Sequence, residues 1–130
     1  VTSFKNLYWD GLAAERRSLR NPQKQPQLSY LQQQLSAEKG VFVAATDYLK
    51  ALPAMVAKWI PGETVLLGTD GYGRSDTRTA LRDFFEVDAR HIAYAALAAL
   101  AREKRVPLSV VEKAAKQLDI DPEKTNPLFA

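Results

Sequence analysis

Two short apolar runs constrain this chain more than any other feature. Val41–Ala45 follows Gly40, and Glu63–Gly68 follows Pro61–Gly62. Each is too short for a helix and too apolar to face water on both sides, so each reads as a buried strand. Leu49, Leu52, Val56 and Trp59 mark one face of a helix between them. Strand, helix, strand is the signature of a parallel sheet layered by helices. Thr46 or Asp47 can cap the intervening helix, and Pro53 is expected to kink or restart it because proline lacks a backbone donor.

Helical patterns fill most of the remainder. Ser3 is suited to cap a helix carrying Phe4, Leu7, Tyr8, Leu12 and Leu19, with Gly11 as the point where such a helix would be interrupted. The connector Asn21–Gln27 holds two prolines and reads as an exposed loop, not a domain linker. Leu28, Leu31 and Leu35 form a stripe opposite Gln32, Gln33 and Gln34, a polar face that needs no function beyond solvation, and Gly40 ends that helix. After the second strand, Ala80, Leu81, Phe84 and Phe85 predict one helix. Asp88 then caps a long one from about Ala89 to Lys104. The centre of that long helix, Ile92–Leu97, is apolar all round and should lie between two layers. Val111, Ala114, Ala115 and Leu118 mark the last helix, before a turn-rich tail from Asp121.

About six helices stand against two clear strands and a stub at Val1, and an isolated two-stranded sheet is marginal in water. The chain is therefore expected to begin partway through an α/β domain whose opening strands lie upstream. Its start at Val1, with Met55 its single methionine, is consistent with a mature product or a fragment.

Composition removes whole classes. The 130 residues, 46% hydrophobic and 25% charged, fit one packed domain rather than a disordered or fibrous chain. With no cysteine there is no disulfide framework, zinc-thiolate site or cysteine nucleophile, which fits a reducing compartment. The net charge of +3 comes from basic residues spread along the chain, so no nucleic-acid partner is expected. The longest apolar run, Ile92–Ala101, is far short of a membrane span, so no membrane partner is expected either.

The constellation that could carry chemistry is the loop Gly68–Arg78. Gly71 and Gly73 permit unusual backbone, and free amides around Ser75 and Asp76 at a helix start would attract an anion, with Arg74 and Arg78 adding charge. Against this, Asp70 and Asp76 bring negative charge to the same amides, and a Ser-Asp helix start is an ordinary cap. The spacing is neither a phosphate-binding P-loop nor a dinucleotide fingerprint. His91, the sole histidine, has Asp88 within one turn and nothing else converging on it, so it reads as a packed helix-start residue rather than a general base. With one histidine, a metal site would have to be all-carboxylate, and no acidic cluster has calcium-loop spacing. Trp9 and Trp59 sit at apolar helix positions without a basic surround and read as core or interface anchors.

Leu67-Gly68-Thr69-Asp70-Gly71-Tyr72-Gly73-Arg74-Ser75-Asp76-Thr77-Arg78 resembles the LGTDGFGRSDxR segment of the homodimeric pyruvate dehydrogenase E1 family, within the transketolase-like superfamily. Val1–Phe4, Asp47-Tyr48, Phe85–Asp88 and Asn126-Pro127 resemble the same family in the same order. The resemblance implies an α/β, Rossmann-like transketolase C-terminal domain over residues 1–130, helix-rich and truncated on its N-terminal side. It implies a cytoplasmic parent enzyme that decarboxylates pyruvate on thiamine diphosphate with magnesium and acetylates the lipoyl groups of dihydrolipoyl acetyltransferase (E2). Its partners would be the remaining E1 domains, a second E1 subunit and E2. Thr69-Asp70-Gly71 lacks the leading glycine of the family's diphosphate motif and no asparagine follows before Asn126, so no cofactor or metal ligand carries over. The family's catalytic histidines belong to earlier domains and none matches His91, so no catalytic residue is implied here either.

Under that resemblance Asp70, Gly71, Tyr72, Gly73, Arg74, Ser75 and Arg78 become a candidate interface loop, with Asp70, Tyr72, Arg74 and Arg78 bonding across a domain or subunit contact. Two alternatives stay open: a free-standing binding module with an anion-binding glycine loop, and the equivalent domain of another 2-oxo acid dehydrogenase.

Overall fold

The computed structural model describes residues 3–130, and the stub expected at Val1 lies outside them. The chain forms two compact units. One comprises Val1–Gly40 with Ala51–Gly62, and the other Val41–Lys50 with Glu63–Ala130.

The first unit is helical: α1 (Phe4–Arg20), α2 (Tyr30–Leu35) and α3 (Ala51–Ala57). Ser3 caps α1 as expected, its hydroxyl accepting from the Asn6 amide at 3.2 Å. Gly11 does not interrupt α1. It is buried, and a Cβ there would lie 2.4 Å from the Trp59 ring, so the glycine lets an indole pack against the helix backbone. Trp59 is 4% exposed and donates its indole N–H to Glu15 at 2.9 Å. Lys58 binds the same carboxylate at 2.8 Å. The Lys58 ammonium and the Trp59 N–H, opposed by desolvation, hold the Glu15 carboxyl below its ordinary value. A lysine sits over each indole, Lys5 above Trp9 at 4.4 Å and Lys58 above Trp59 at 4.6 Å, which corrects the expectation of no basic surround. Trp9 is largely exposed and is no core anchor.

The 21–27 connector is an exposed loop held to α1, with the Gln27 amide donating to Ser18 Oγ at 2.8 Å. Gln32 does more than face water. It closes a capping box with Ser29, which shortens α2 to a start at Tyr30 and leaves Leu28 outside it. That helix also stops at Leu35, before Gly40. In α3 the proline falls in the first turn, where its missing N–H has no intrahelical partner to lose, so Pro53 neither kinks nor restarts the helix. Neither Thr46 nor Asp47 caps α3, which begins at Ala51; the Thr46 hydroxyl accepts from the Tyr48 amide instead.

The second unit holds β1 (Phe42–Ala45) and β2 (Thr64–Leu67), paired in parallel with Phe42 opposite Thr64 and Ala45 opposite Leu67. Three helices complete it: α4 (Arg78–Phe84), α5 (Ala89–Arg102) and α6 (Leu108–Gln117), followed by a 3₁₀ turn at Pro127–Phe129. Asp88 caps α5 through the His91 amide at 3.0 Å, and Arg102 closes its last turn, as the macrodipole favours. The α5 helix lies between the two strands and α6, which matches the expected two layers. Burial on every side is not met: Ala99 is fully enclosed, whereas Ala93 is exposed and Ile92, Tyr94 and Leu97 are half-buried. No helix is long and apolar enough to cross a membrane among the described residues.

Candidate functional site

The glycine loop leaves the carboxyl end of β2 and is fixed at its base by the segment that leaves β1. A Cβ on Gly68 would lie 2.7 Å from the Tyr48 carbonyl oxygen, so only glycine permits that approach. The Thr69 amide donates to the same carbonyl at 2.9 Å, and the Thr69 hydroxyl to the Asp47 carbonyl at 2.9 Å. Asp70 accepts from the Lys50 amide at 2.9 Å and lies 3.8 Å from its ammonium. Gly71 has φ +105°, and a Cβ there would come within 2.5 Å of the Pro127 carbonyl oxygen. Asp70 is thus bonded to Lys50, and the Gly71 backbone packs closely on Pro127.

From Tyr72 onward the loop opens to solvent. Tyr72 is 84% exposed, and nothing lies near Gly73. Arg74 stacks its guanidinium 4.0 Å from the Phe84 ring centroid. The helix starts later than the sequence predicts. Thr77, not Ser75 or Asp76, is the cap, accepting from the Ala80 amide at 3.3 Å, while Asp76 accepts from the Thr77 amide at 2.6 Å. The Thr77 and Ala80 amides are thereby engaged, and the loop's full charges come from its side chains.

Arg74 and Arg78 do converge, and Arg82 joins them. The three line a cleft of about 580 Å³ with Asp47, Tyr72 and Asp76. Arg78 and Arg82 also line an adjoining cleft of about 570 Å³ against Asp47 and Asp88. Arg82 escaped the sequence reading, which took Phe84 only as a helix residue, although the one-turn spacing of Arg78 and Arg82 places them on one helix face. Ser75 is exposed and lines a smaller recess with Arg74.

His91 is less solitary than its sequence context implies. Its Nδ1 lies 2.7 Å from Asp88, its side chain is 11% exposed, and it lines a cleft of about 340 Å³ with Lys50, Asp70, Tyr94 and Lys124. Burial would raise the Asp88 carboxyl, but hydrogen bonds from the His91 amide and ring and from the Arg90 guanidinium outweigh it and hold the group at about 2. Asp83, Asp88 and His91 each bring a ligand atom within 4.8 Å of the others, so the donor set is mixed and not all-carboxylate. Arg90 bridges the two carboxylates, and the Lys124 ammonium lies 3.8 Å from Asp83. Cationic side chains already answer that negative charge, and the cluster does not suit a divalent ion. Nor do the loop residues suit magnesium and thiamine diphosphate. The Asp70 carboxylate is held by Lys50, and the other acidic side chain of the loop, Asp76, accepts from the Thr77 amide and lines a cleft with three arginines.

Parallel strands joined through a helix, covered by α5 and carrying a glycine loop at their carboxyl ends, define a helix-rich α/β domain of the kind that places contacts at that edge. Residues 5–88 match the transketolase-like C-terminal domain, and the chain belongs to that family. It is 45% identical over 129 residues to the pyruvate dehydrogenase E1 component of Pseudomonas aeruginosa, covering 98% of this chain and 15% of that protein. The E1 components of Corynebacterium glutamicum (41% over 121 residues, 93% and 13% covered) and Escherichia coli K12 (40% over 131 residues, 100% and 14%) are similar in the same way. The chain therefore spans about one seventh of the length of these relatives.

Proposed function

We propose that the chain is a noncatalytic C-terminal portion of a pyruvate dehydrogenase E1 polypeptide and supplies interdomain and dimer surface. The parent would be a cytoplasmic homodimer that decarboxylates pyruvate on thiamine diphosphate with magnesium and passes the acetyl unit to lipoyl groups of dihydrolipoyl acetyltransferase. The observation that carries this reading is the match along 98% of the chain to proteins that share the E1 name. That shared name also favours pyruvate dehydrogenase over sister 2-oxo acid dehydrogenases.

Two local features support the noncatalytic role. The ionisable groups nearest to catalytic geometry, Asp83, Asp88 and His91, are engaged with Arg90 or with one another. Asp70 is held by Lys50. The chain is read as one domain over 1–130, and the strands, none of whose residues is fully buried, support a sheet that is wider in the parent polypeptide. The free-standing anion-binding module is less well supported, because Asp47 and Asp76 line the cleft on which the loop's arginines converge.

The test compares the full E1 polypeptide with residues 1–130 alone, each given pyruvate, thiamine diphosphate, magnesium and an artificial electron acceptor. Turnover by the full polypeptide and none by the isolated chain is expected. Decarboxylation by the isolated chain, or an inert full polypeptide, overturns the reading.

A further inference from the structure

The arginines of the second unit divide into two sets. Arg90, Arg102 and Arg105 each lie within 4 Å of a carboxylate. Arg74, Arg78 and Arg82 have no ion-pair partner among the described residues, yet they converge on the 580 Å³ cleft beside Tyr72. The stack on Phe84 orients the Arg74 fork without neutralising it. The three guanidinium groups outnumber the two carboxylates of the cleft, Asp47 and Asp76, neither of which comes within ion-pair distance of them, an arrangement that a further carboxylate relieves.

We propose that this cleft docks an acidic polypeptide segment of the parent assembly, its carboxylates received by Arg74, Arg78 and Arg82 and its backbone running beneath Tyr72. The inference rests on the proposed function only in drawing the occupant from that assembly. Phosphate is disfavoured because Asp47 and Asp76 line the same cleft and it offers them no N–H to accept. Those two carboxylates suit a polypeptide, whose N–H groups they can accept. The fork of arginine also matches carboxylate geometry better than a point charge would, so lysine is expected to serve less well.

Photo-crosslinking of the full E1 polypeptide tests this, with p-benzoylphenylalanine in place of Tyr72 and mass-spectrometric mapping of the product. Crosslinks to one segment rich in Asp or Glu are expected. Adding Arg78→Glu with Arg82→Glu should lower their yield about tenfold or more, since like charges then face each other. Arg78→Lys with Arg82→Lys should lower it less. All three arginines are exposed, and a thermal melt of each variant establishes that it is folded. Should the Glu pair unfold, the yield in unsubstituted enzyme is followed with rising sodium chloride, where a decline is expected.

No crosslink, a crosslinked segment without acidic residues, or a yield indifferent to both charge reversal and salt overturns the proposal. Displacement of the crosslink by inorganic phosphate at constant ionic strength overturns it in favour of an anion site. Pyruvate turnover is measured on the same samples. Turnover without an acidic crosslink defeats this inference alone, whereas an inert unsubstituted enzyme defeats the reading beneath it.

Discussion

The Glu15–Lys58–Trp59 cluster of the helical unit and the arginine cleft of the α/β unit are built from similar residue types and end in opposite states. In the first, one carboxylate receives an ammonium and an indole N–H while Gly11 admits the ring. Donors and acceptor match, and the cluster closes on itself. In the second, three guanidinium groups gather with an exposed tyrosine and find no ion-pair acceptor among the described residues. A polar group matched within its own unit holds that unit together, whereas one left unmatched on a concave surface is available to something else.

The comparison breaks most readily at Trp59. Trp59→Ala should cost about 3–5 kcal/mol, because it leaves a cavity beside Gly11 and strips an N–H from Glu15. Urea unfolding followed by circular dichroism measures this, and a loss below 1 kcal/mol, roughly the cost of a surface change, would mean that the indole is not the keystone.

An intermediate effect is expected at Asp88. Its carboxyl is depressed from 3.8 to about 2 on folding. The stability it adds is therefore complete above about pH 4 and lost as pH falls through 2. Partial solvent access keeps that contribution near 1 kcal/mol. Acid titration of unfolding should show this step, and Asp88→Asn, which retains a capping oxygen, should remove it.

The smallest stability effect belongs to the cleft. Arg78→Ala and Arg82→Ala should each change unfolding free energy by no more than about 0.5 kcal/mol, as exposed side chains without partners do. A larger loss would place them among the groups that hold the unit together and erase the contrast.

Local signals in the sequence carried much of the fold. The strands at 42–45 and 64–67 and the Asp88 cap of α5 were readable because each depends on neighbours within a few residues. The start of α4 was not: Ser75, Asp76 and Thr77 are all good caps in a row, and only the bonds made by Asp76 and Thr77 select the third. Gly11 misled for a related reason. A glycine in a helical pattern predicts weakness unless the residue that packs on it is known, and Trp59 reaches it from beyond α3. At the candidate site, Arg74 and Arg78 were legible as charges beside glycines, while Arg82 and the Phe84 stack required α4 to be placed in register.

Residue type and short-range spacing by themselves determined which segments became helix or strand, and the loop motif determined which family the chain resembles. Tertiary structure alone decided which polar groups found partners, because pairing depends on distances between residues remote in the chain. It answered Glu15 from Lys58 and Trp59 and left Arg74, Arg78 and Arg82 together without an ion-pair acceptor among the described residues.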